Sequence, residues 1–288
     1  KMGQTERVEG VQSHLKKAGT PTMGGVMFLV STVITALFYV KDYPKIIPVL
    51  FLTLGFGLIG FLDDYLKVVL RRSDGLLAWQ KLLLQVVVTG IFTFYILNYT
   101  DISLTMRIPF WSGHYLDLGW LAVPLLFFAV IGTVNGVNFT DGVDGLASSV
   151  TLIVAVFFTV VSIGLKSGIE PFTCAVVGGL MGFLLYNVYP AKVFMGDTGS
   201  LALGGFVAGC AYMMQMPLFI LIVGLIYLVE VLSVMIQVTY FKATHGKRIF
   251  RMTPIHHHFE LGGWSETRVV AVFSIITAIM CLIGLLAL

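Results

Sequence analysis

Long stretches in which no charge interrupts the apolar residues organise this chain; Leu118–Val134 and Pro217–Val229 are two of them. Such runs are apolar on every side, so they do not suit the two-faced helix of a soluble protein. Crossing the hydrocarbon core of a bilayer takes a helix of about 20 mainly apolar residues, with about 17 a working minimum. Composition agrees, with 57% apolar and 11% charged residues, where a soluble domain carries roughly 45–50% and about 25%. A soluble globular enzyme, a disordered chain and a disulfide scaffold are excluded. Outer-membrane barrels alternate apolar and polar residues along each strand, whereas these runs are continuous, and in lipid a helix satisfies its own backbone hydrogen bonds. The expectation is an all-α polytopic membrane protein, one integral membrane domain over residues 1–288.

Nine spans are expected: Thr22–Val40, Ile46–Leu62, Gln80–Leu97, Leu118–Val134, Gly145–Leu165, Phe172–Tyr189, Leu201–Met213, Pro217–Phe241 and Arg268–Leu288. Successive spans alternate sides, which sorts the loops into two sets. Of the 18 Lys and Arg residues, only Lys41, Lys45, Arg107 and Lys166 belong to one set. The other 14 are Lys1, Arg7, Lys16, Lys17, Lys67, Arg71, Arg72, Lys81, Lys192, Lys242, Lys247, Arg248, Arg251 and Arg268. The positive-inside rule assigns this richer set to the cytoplasm. The same parity gathers Asp63, Asp64, Asp141, Asp144, Asp197 and His256–His258 on that face. On the other face, Ile102, Leu104, Met106, Ile108 and Phe110 alternate with more polar residues, which predicts a short hairpin. Cys174, Cys210 and Cys281 lie inside apolar runs and read as small buried hydrophobes.

Five constellations point to chemistry. Asp63-Asp64 close the second span at the negative end of its helix dipole, where adjacent carboxylates are doubly unfavourable unless a cation or substrate offsets them; hard oxygen ligands suit Mg²⁺. Asn138, Asp141 and Asp144 recur at a spacing of three, which puts them on one face if they share a helical turn; capping of the following helix is the bland alternative. Gly196-Asp197-Thr198-Gly199-Ser200 precedes a helix whose free N–H groups suit an anion, although helix capping explains it equally well; Asn187 and Phe194 flank it as an amide and a stacking ring. In Thr253-Pro254-Ile255-His256-His257-His258, Thr253 is expected to cap a helix starting at Pro254, and phosphate work suits the histidines better than zinc, because successive helical residues point apart. Lys16-Lys17 ahead of Gly19–Gly25 either offset phosphate charge at the interface or form the usual basic flank of a membrane span. Glu230 stands alone within a span, where it serves either proton coupling or a bond to a neighbouring helix. Aspartates asking for Mg²⁺, and lysines and helix starts asking for phosphates, suggest transfer of a phosphorylated group from a nucleotide donor to a lipid phosphate. A secondary transporter is the rival class, but it places its polar groups near the midplane and shows internal repeats, whereas here they crowd one surface.

Taken together, Gly19–Gly25, Asp63-Asp64-Tyr65, Asn138–Leu146, Phe194–Ser200 and Pro254–Glu260 resemble the bacterial phospho-N-acetylmuramoyl-pentapeptide transferases, nearly end to end. His256-His257-His258 followed by Phe259-Glu260 and Gly262-Gly263-Trp264 favours this family over relatives that transfer N-acetylglucosamine phosphate. The resemblance implies that UDP-N-acetylmuramoyl-pentapeptide gives its phospho-sugar to undecaprenyl phosphate, yielding lipid I and UMP with Mg²⁺. It implies a bacterial plasma-membrane homodimer with its active site on the cytoplasmic face and no nucleic-acid partner. It also implies ten spans, so a first helix is expected ahead of residue 1. On the matching positions, Asp197 and Asp64 are expected to hold the metal and Asp63 to orient or deprotonate the lipid phosphate. Lys81 and His256 would stabilise pyrophosphate charge, with Asp141 lining the centre. Asp144, Asn187 and Phe194 are expected to hold the uracil, with Lys17, Thr20, Asn138, Gly196, His257 and His258 completing the substrate site.

Overall fold

The computed structural model describes residues 19–70 and 75–288; Lys17, with Lys16, lies outside the described residues. The apolar runs become helices α1 (Gly25–Tyr39), α2 (Ile46–Val68), α3 (Ala78–Tyr99), α4 (Ala122–Thr140), α5 (Leu146–Leu165), α6 (Glu170–Asn187), α7 (Gly196–Met213), α8 (Ile220–Val223), α9 (Leu225–Ala243), α10 (Ile255–Glu260) and α11 (Glu266–Leu286). The hairpin expected between the third and fourth spans is present, with strand Met106–Arg107 antiparallel to Tyr115–Leu116. Large apolar side chains such as Phe128 and Leu185 face outward, as suits a surface solvated by lipid tails.

The fold is all-α and polytopic, but fewer helices than expected have the length and apolarity of a crossing. Among the described residues, six helical segments are long and apolar enough to cross a membrane: 46–68, 78–99, 119–140, 146–165, 225–243 and 266–286. That is fewer than the nine expected, and the expected ten of the full-length relatives has no direct counterpart here. The other three helices are present with a physical reason for falling short. Helix α1 has 15 residues, about 22 Å at 1.5 Å per residue, against a core of about 30 Å. Helix α6 opens on Glu170, ends on Asn187 and carries Gly178, Gly179 and Gly182 between them. Helix α7 begins in the polar Gly196–Ser200 turn, yet every residue from Thr198 to Met213 is buried. A helix sheathed by protein needs no lipid-compatible surface, and α7 is wrapped chiefly by α2 and α4.

Boundaries move as well. Helix α2 runs past Leu62 to Val68, so Asp63 and Asp64 sit inside its last turns and are buried. Helix α4 continues to Thr140 because its polar residues are satisfied within the bundle. Asn135 donates to Gln85 Oε1 at 2.9 Å and accepts from Gln85 Nε2 at 3.3 Å. The expected span Pro217–Phe241 is broken at Gly224 into α8 and α9.

Glycine lets α7 serve as the axis. A Cβ at Gly205 would lie 2.7 Å from Leu52 O and 2.8 Å from the Phe56 ring, and one at Gly204 would press on the α4 backbone at Val134. Small residues of this kind let helix backbones approach closely in membranes. Gly205→Ala is therefore expected to destabilise by about 1–3 kcal/mol through overpacking. Gly178→Ala, where a Cβ meets nothing within 4 Å, should be neutral or gain up to about 1 kcal/mol from helix propensity. Thermal midpoints of the two variants in one detergent check the contrast.

Candidate active site

Alternating helices bring the C-terminal ends of α2, α4 and α6 and the N-terminal ends of α3, α5 and α7 to one end of the bundle. Close packing at α2 and α7 begins the site. A Cβ at Gly60 would overlap the Asp197 carbonyl, and one at Gly196, whose φ is +74°, would lie 2.6 Å from Asp64 Oδ2. With no side chain at either position, α2 meets the first turn of α7. Asp64 Oδ1 accepts from the Asp197 N–H at 3.1 Å. Its Oδ2 accepts from the Thr198 N–H at 2.9 Å and the Thr198 hydroxyl at 2.6 Å. Asp64 thus caps α7 from a different helix, and the helix start that seemed free for an anion is partly satisfied by protein.

Asp63, Asp64 and Asp197 are the one group among the described residues that could hold a metal ion, with one carboxylate oxygen of each within 4.8 Å of the others. Two ammonium groups face them. Lys67 Nζ lies 2.5 Å from Asp63 Oδ2 and 3.3 Å from Asp197 Oδ2, and Lys81 Nζ lies 2.9 Å from Asp197 Oδ2. Asn138 Nδ2 donates to Asp197 Oδ1 and to Ser200 Oγ, each at 2.9 Å. Asp63 Oδ1 accepts from the Leu76 N–H at 2.7 Å. Three carboxylates against two ammonium groups leave room for further positive charge. Unit charges 4 Å apart repel by roughly 4 kcal/mol at an effective dielectric of 20, and oxygen ligands of this kind suit Mg²⁺.

Around this cluster the expected residues fall into place unevenly. Asp141 is the C-cap of α4, with ψ +48°, so Asn138, Asp141 and Asp144 do not share one helical turn as expected. Nor does either aspartate cap α5, whose N-cap is Gly145 in the left-handed region without a side-chain bond. Burial, and after it the Asp197, Asp64 and Asp144 carboxylates, push the Asp141 carboxyl well above the usual carboxylate range. Asp144 Oδ2 accepts from the Ala191 N–H at 2.9 Å. Asn187 is buried, accepts from the Ser148 hydroxyl at 2.6 Å and donates to Val193 O at 3.0 Å, so its amide braces the loop that carries Phe194.

The Gly19–Gly25 segment packs on that same loop. The Phe194 N–H donates to Pro21 O at 2.8 Å, the Gly24 N–H to Phe194 O at 2.8 Å and the Gly25 N–H to Met195 O at 2.9 Å. Thr20 stands one residue before this ladder. The glycines there serve close packing, since a Cβ at Gly25 would overlap the Gly199 backbone.

The histidines differ most from expectation. Thr253 does not cap α10; the N-cap is Pro254, with no side-chain bond, and α10 is a single short turn. His257 Nδ1 lies 2.7 Å from Glu260 Oε2. His258 Nδ1 accepts from the Arg251 N–H at 3.1 Å. His256 is fully buried, with Nδ1 3.0 Å from Glu230 Oε1, so Glu230 bonds to a neighbouring helix. The sequence reading missed Lys67, Thr198 and Ser200 as members of the site. Lys67 lies one turn from Asp63 in sequence, and only the fold carries it to Asp197.

The sequence model of Glycosyl transferase family 4 matches residues 46–215, which puts this helical bundle, with its aspartates and lysines clustered at one end, in the class of membrane-embedded transferases. A phospho-N-acetylmuramoyl-pentapeptide-transferase signature matches residues 17–29. The phospho-N-acetylmuramoyl-pentapeptide-transferase of Acetivibrio thermocellus is 53% identical over 291 residues, covering 100% of this chain and 87% of the relative. That of Carboxydothermus hydrogenoformans is 54% identical over 295 residues, covering 99% and 89%. That of Clostridium botulinum (strain Alaska E43) is 53% identical over 292 residues, covering 100% and 88%. The chain belongs to the phospho-N-acetylmuramoyl-pentapeptide-transferase family.

Because Asp64 caps α7, its loss should cost stability as well as activity. Asp64→Ala strands the N–H groups of Asp197 and Thr198 and is expected to lower stability by about 1–2 kcal/mol. Asp197→Ala strands no such pair. A lower thermal midpoint for Asp64→Ala than for Asp197→Ala checks the assignment, and equal midpoints would remove it.

Proposed function

We propose that this chain transfers phospho-N-acetylmuramoyl-pentapeptide from its UDP-linked donor to undecaprenyl phosphate, giving lipid I and UMP in peptidoglycan synthesis. The carrying observation is the Asp63–Asp64–Asp197 cluster faced by Lys67 and Lys81, in a chain of this family. Relatives of the same name match it nearly end to end, and this favours the muramoyl-pentapeptide donor over UDP-N-acetylglucosamine. On this reading the protein lies in the bacterial plasma membrane with the site on the cytoplasmic face. The excess of basic residues on that side supports this orientation. Helices α1, α6 and α7 join the six longer segments as crossings, because the loop parity that collects the basic residues needs all nine.

The donor set fits Mg²⁺: three clustered carboxylates with no soft ligand among them. Asp197 and Asp64 would hold it, with Asp63 beside them. Bound there, the ion would supply positive charge against the phosphates. The protein's own groups do the rest. Lys67 and Lys81 bring cationic charge to the anionic substrates, and Asn138 fixes the Asp197 carboxylate. Asp63 orients the lipid phosphate. A phosphate oxygen of the lipid attacks the β-phosphorus, its new P–O bond forming as the bond to UMP breaks. Direct displacement suits a site that works by positioning and charge neutralisation. The loop held by Asp144 and Asn187 presents Phe194 to the uracil.

The test is release of UMP from radiolabelled donor by purified protein in detergent, where no sealed compartment exists and a carrier has nothing to do. Release should require undecaprenyl phosphate, cease with a chelator and return with Mg²⁺. Asp197→Asn should lower the rate by about 100-fold or more, the scale of losing a charge-stabilising group; activity within about tenfold of wild type would take Asp197 out of the metal role. Phosphorylated aspartate in protein given donor without lipid would overturn direct displacement.

A further inference from the structure

The transfer reaction leaves unexplained how the fold treats one buried pair. Glu230 on α9 and His256 on α10 both have fully buried side chains, with Nδ1 and Oε1 3.0 Å apart. The other ends of the pair, His256 Nε2 and Glu230 Oε2, are buried without a hydrogen-bond partner among the described residues. Nε2 points toward the α4–α5 loop: a Cβ at Gly142 would overlap it and lie 2.6 Å from Cε1. Gly142 follows Asp141, whose carboxyl feels the charges of Asp197 and Asp64. The imidazole edge is thus packed against Gly142, the residue next to Asp141.

A structural clasp between helices closes both ends, as Gln85 and Asn135 do by exchanging two hydrogen bonds. Glu230–His256 closes one. A buried polar atom without a partner is costly, and one kept at the margin of a reaction centre is positioned to meet a ligand. The arrangement matches the carboxylate–imidazole logic of acyl-transfer enzymes, in which the acid fixes the tautomer and orientation of the ring and stabilises the positive charge it takes up.

We propose that Glu230 is a positioning residue for the transfer: its carboxylate accepts the Nδ1–H bond of His256 and so turns Nε2 to the reaction centre, where it hydrogen-bonds a phosphate oxygen of the substrates. When Nε2 also carries its proton, Glu230 offsets the charge of the ring. This role rests on the transfer reaction proposed above.

The experiment uses the full chain in detergent with both substrates. Glu230→Gln keeps the shape and removes the charge; kcat should fall by about 10- to 100-fold, the usual cost of losing the group that orients a working histidine, while KM for the donor holds within about twofold. Glu230→Asp should recover part of the loss. In a His256→Ala background the same Glu230→Gln change should cost less than about twofold, because the group it acts through is gone. A kcat for Glu230→Gln within about threefold of wild type, or losses that multiply fully in the double variant, would overturn the proposal. If Glu230→Gln does not fold, ¹⁵N-histidine spectra of the unaltered protein decide: a proton on Nδ1 of His256, identified by its absence in His256→Gln, supports the role, and a bare Nδ1 defeats it. The spectra need no turnover, so they separate this proposal from a failure of the transfer reading itself.

Discussion

The contact between Asp64 on α2 and the first turn of α7 is the constraint on which the site depends. Two glycines create it. Gly60 lets the α7 backbone lie against α2, and Gly196 adopts the left-handed conformation that turns the chain into α7 beside Asp64. Once the carboxylate has taken the two N–H groups and the Thr198 hydroxyl, Asp197 has only one place to be. It stands beside Asp63, within reach of Lys81 from α3, Lys67 from α2 and Asn138 from α4. Four side chains from three helices converge on one carboxylate because a fifth group, Asp64, has fixed the backbone that carries it.

Much of this architecture was legible in the amino-acid order, and the exceptions have physical causes. Helices carrying lipid-facing apolar residues announced themselves, because the bilayer demands that pattern. Helix α7 did so only in part: its glycines and polar first turn answer to neighbouring helices, and only the assembled bundle shows which ones. Ends moved for a similar reason. Leu62 and Val134 looked like termini because polar residues follow, yet Asp63 and Asn135 find partners inside the protein, so α2 and α4 continue. The hairpin on the opposite face was readable because alternation is a local signal.

The candidate site was legible in its membership and less so in its arrangement. The aspartates stood out because carboxylates are rare in such a chain, and loop parity placed them on one face. What sequence did not disclose is which of their oxygens the fold already uses. Asn187, expected as a base-reading amide, spends hydrogen bonds on Ser148 and Val193. The three histidines looked equivalent, yet each Nδ1 has a different partner, and only His256 is wholly enclosed. Gly24 and Gly25, which follow the basic Lys16-Lys17 pair, turn out to admit another stretch of backbone.

Sheathing of α7 has a consequence for how such a chain is made. Segments emerging from a ribosome are sorted into the bilayer by their own apolarity, and α7 has little of it to offer. Its favourable surroundings exist only after α2 and α4 are in place. Asp197 therefore travels on a segment poorly suited to enter lipid unaided, and its place in the bundle depends on companions made before it.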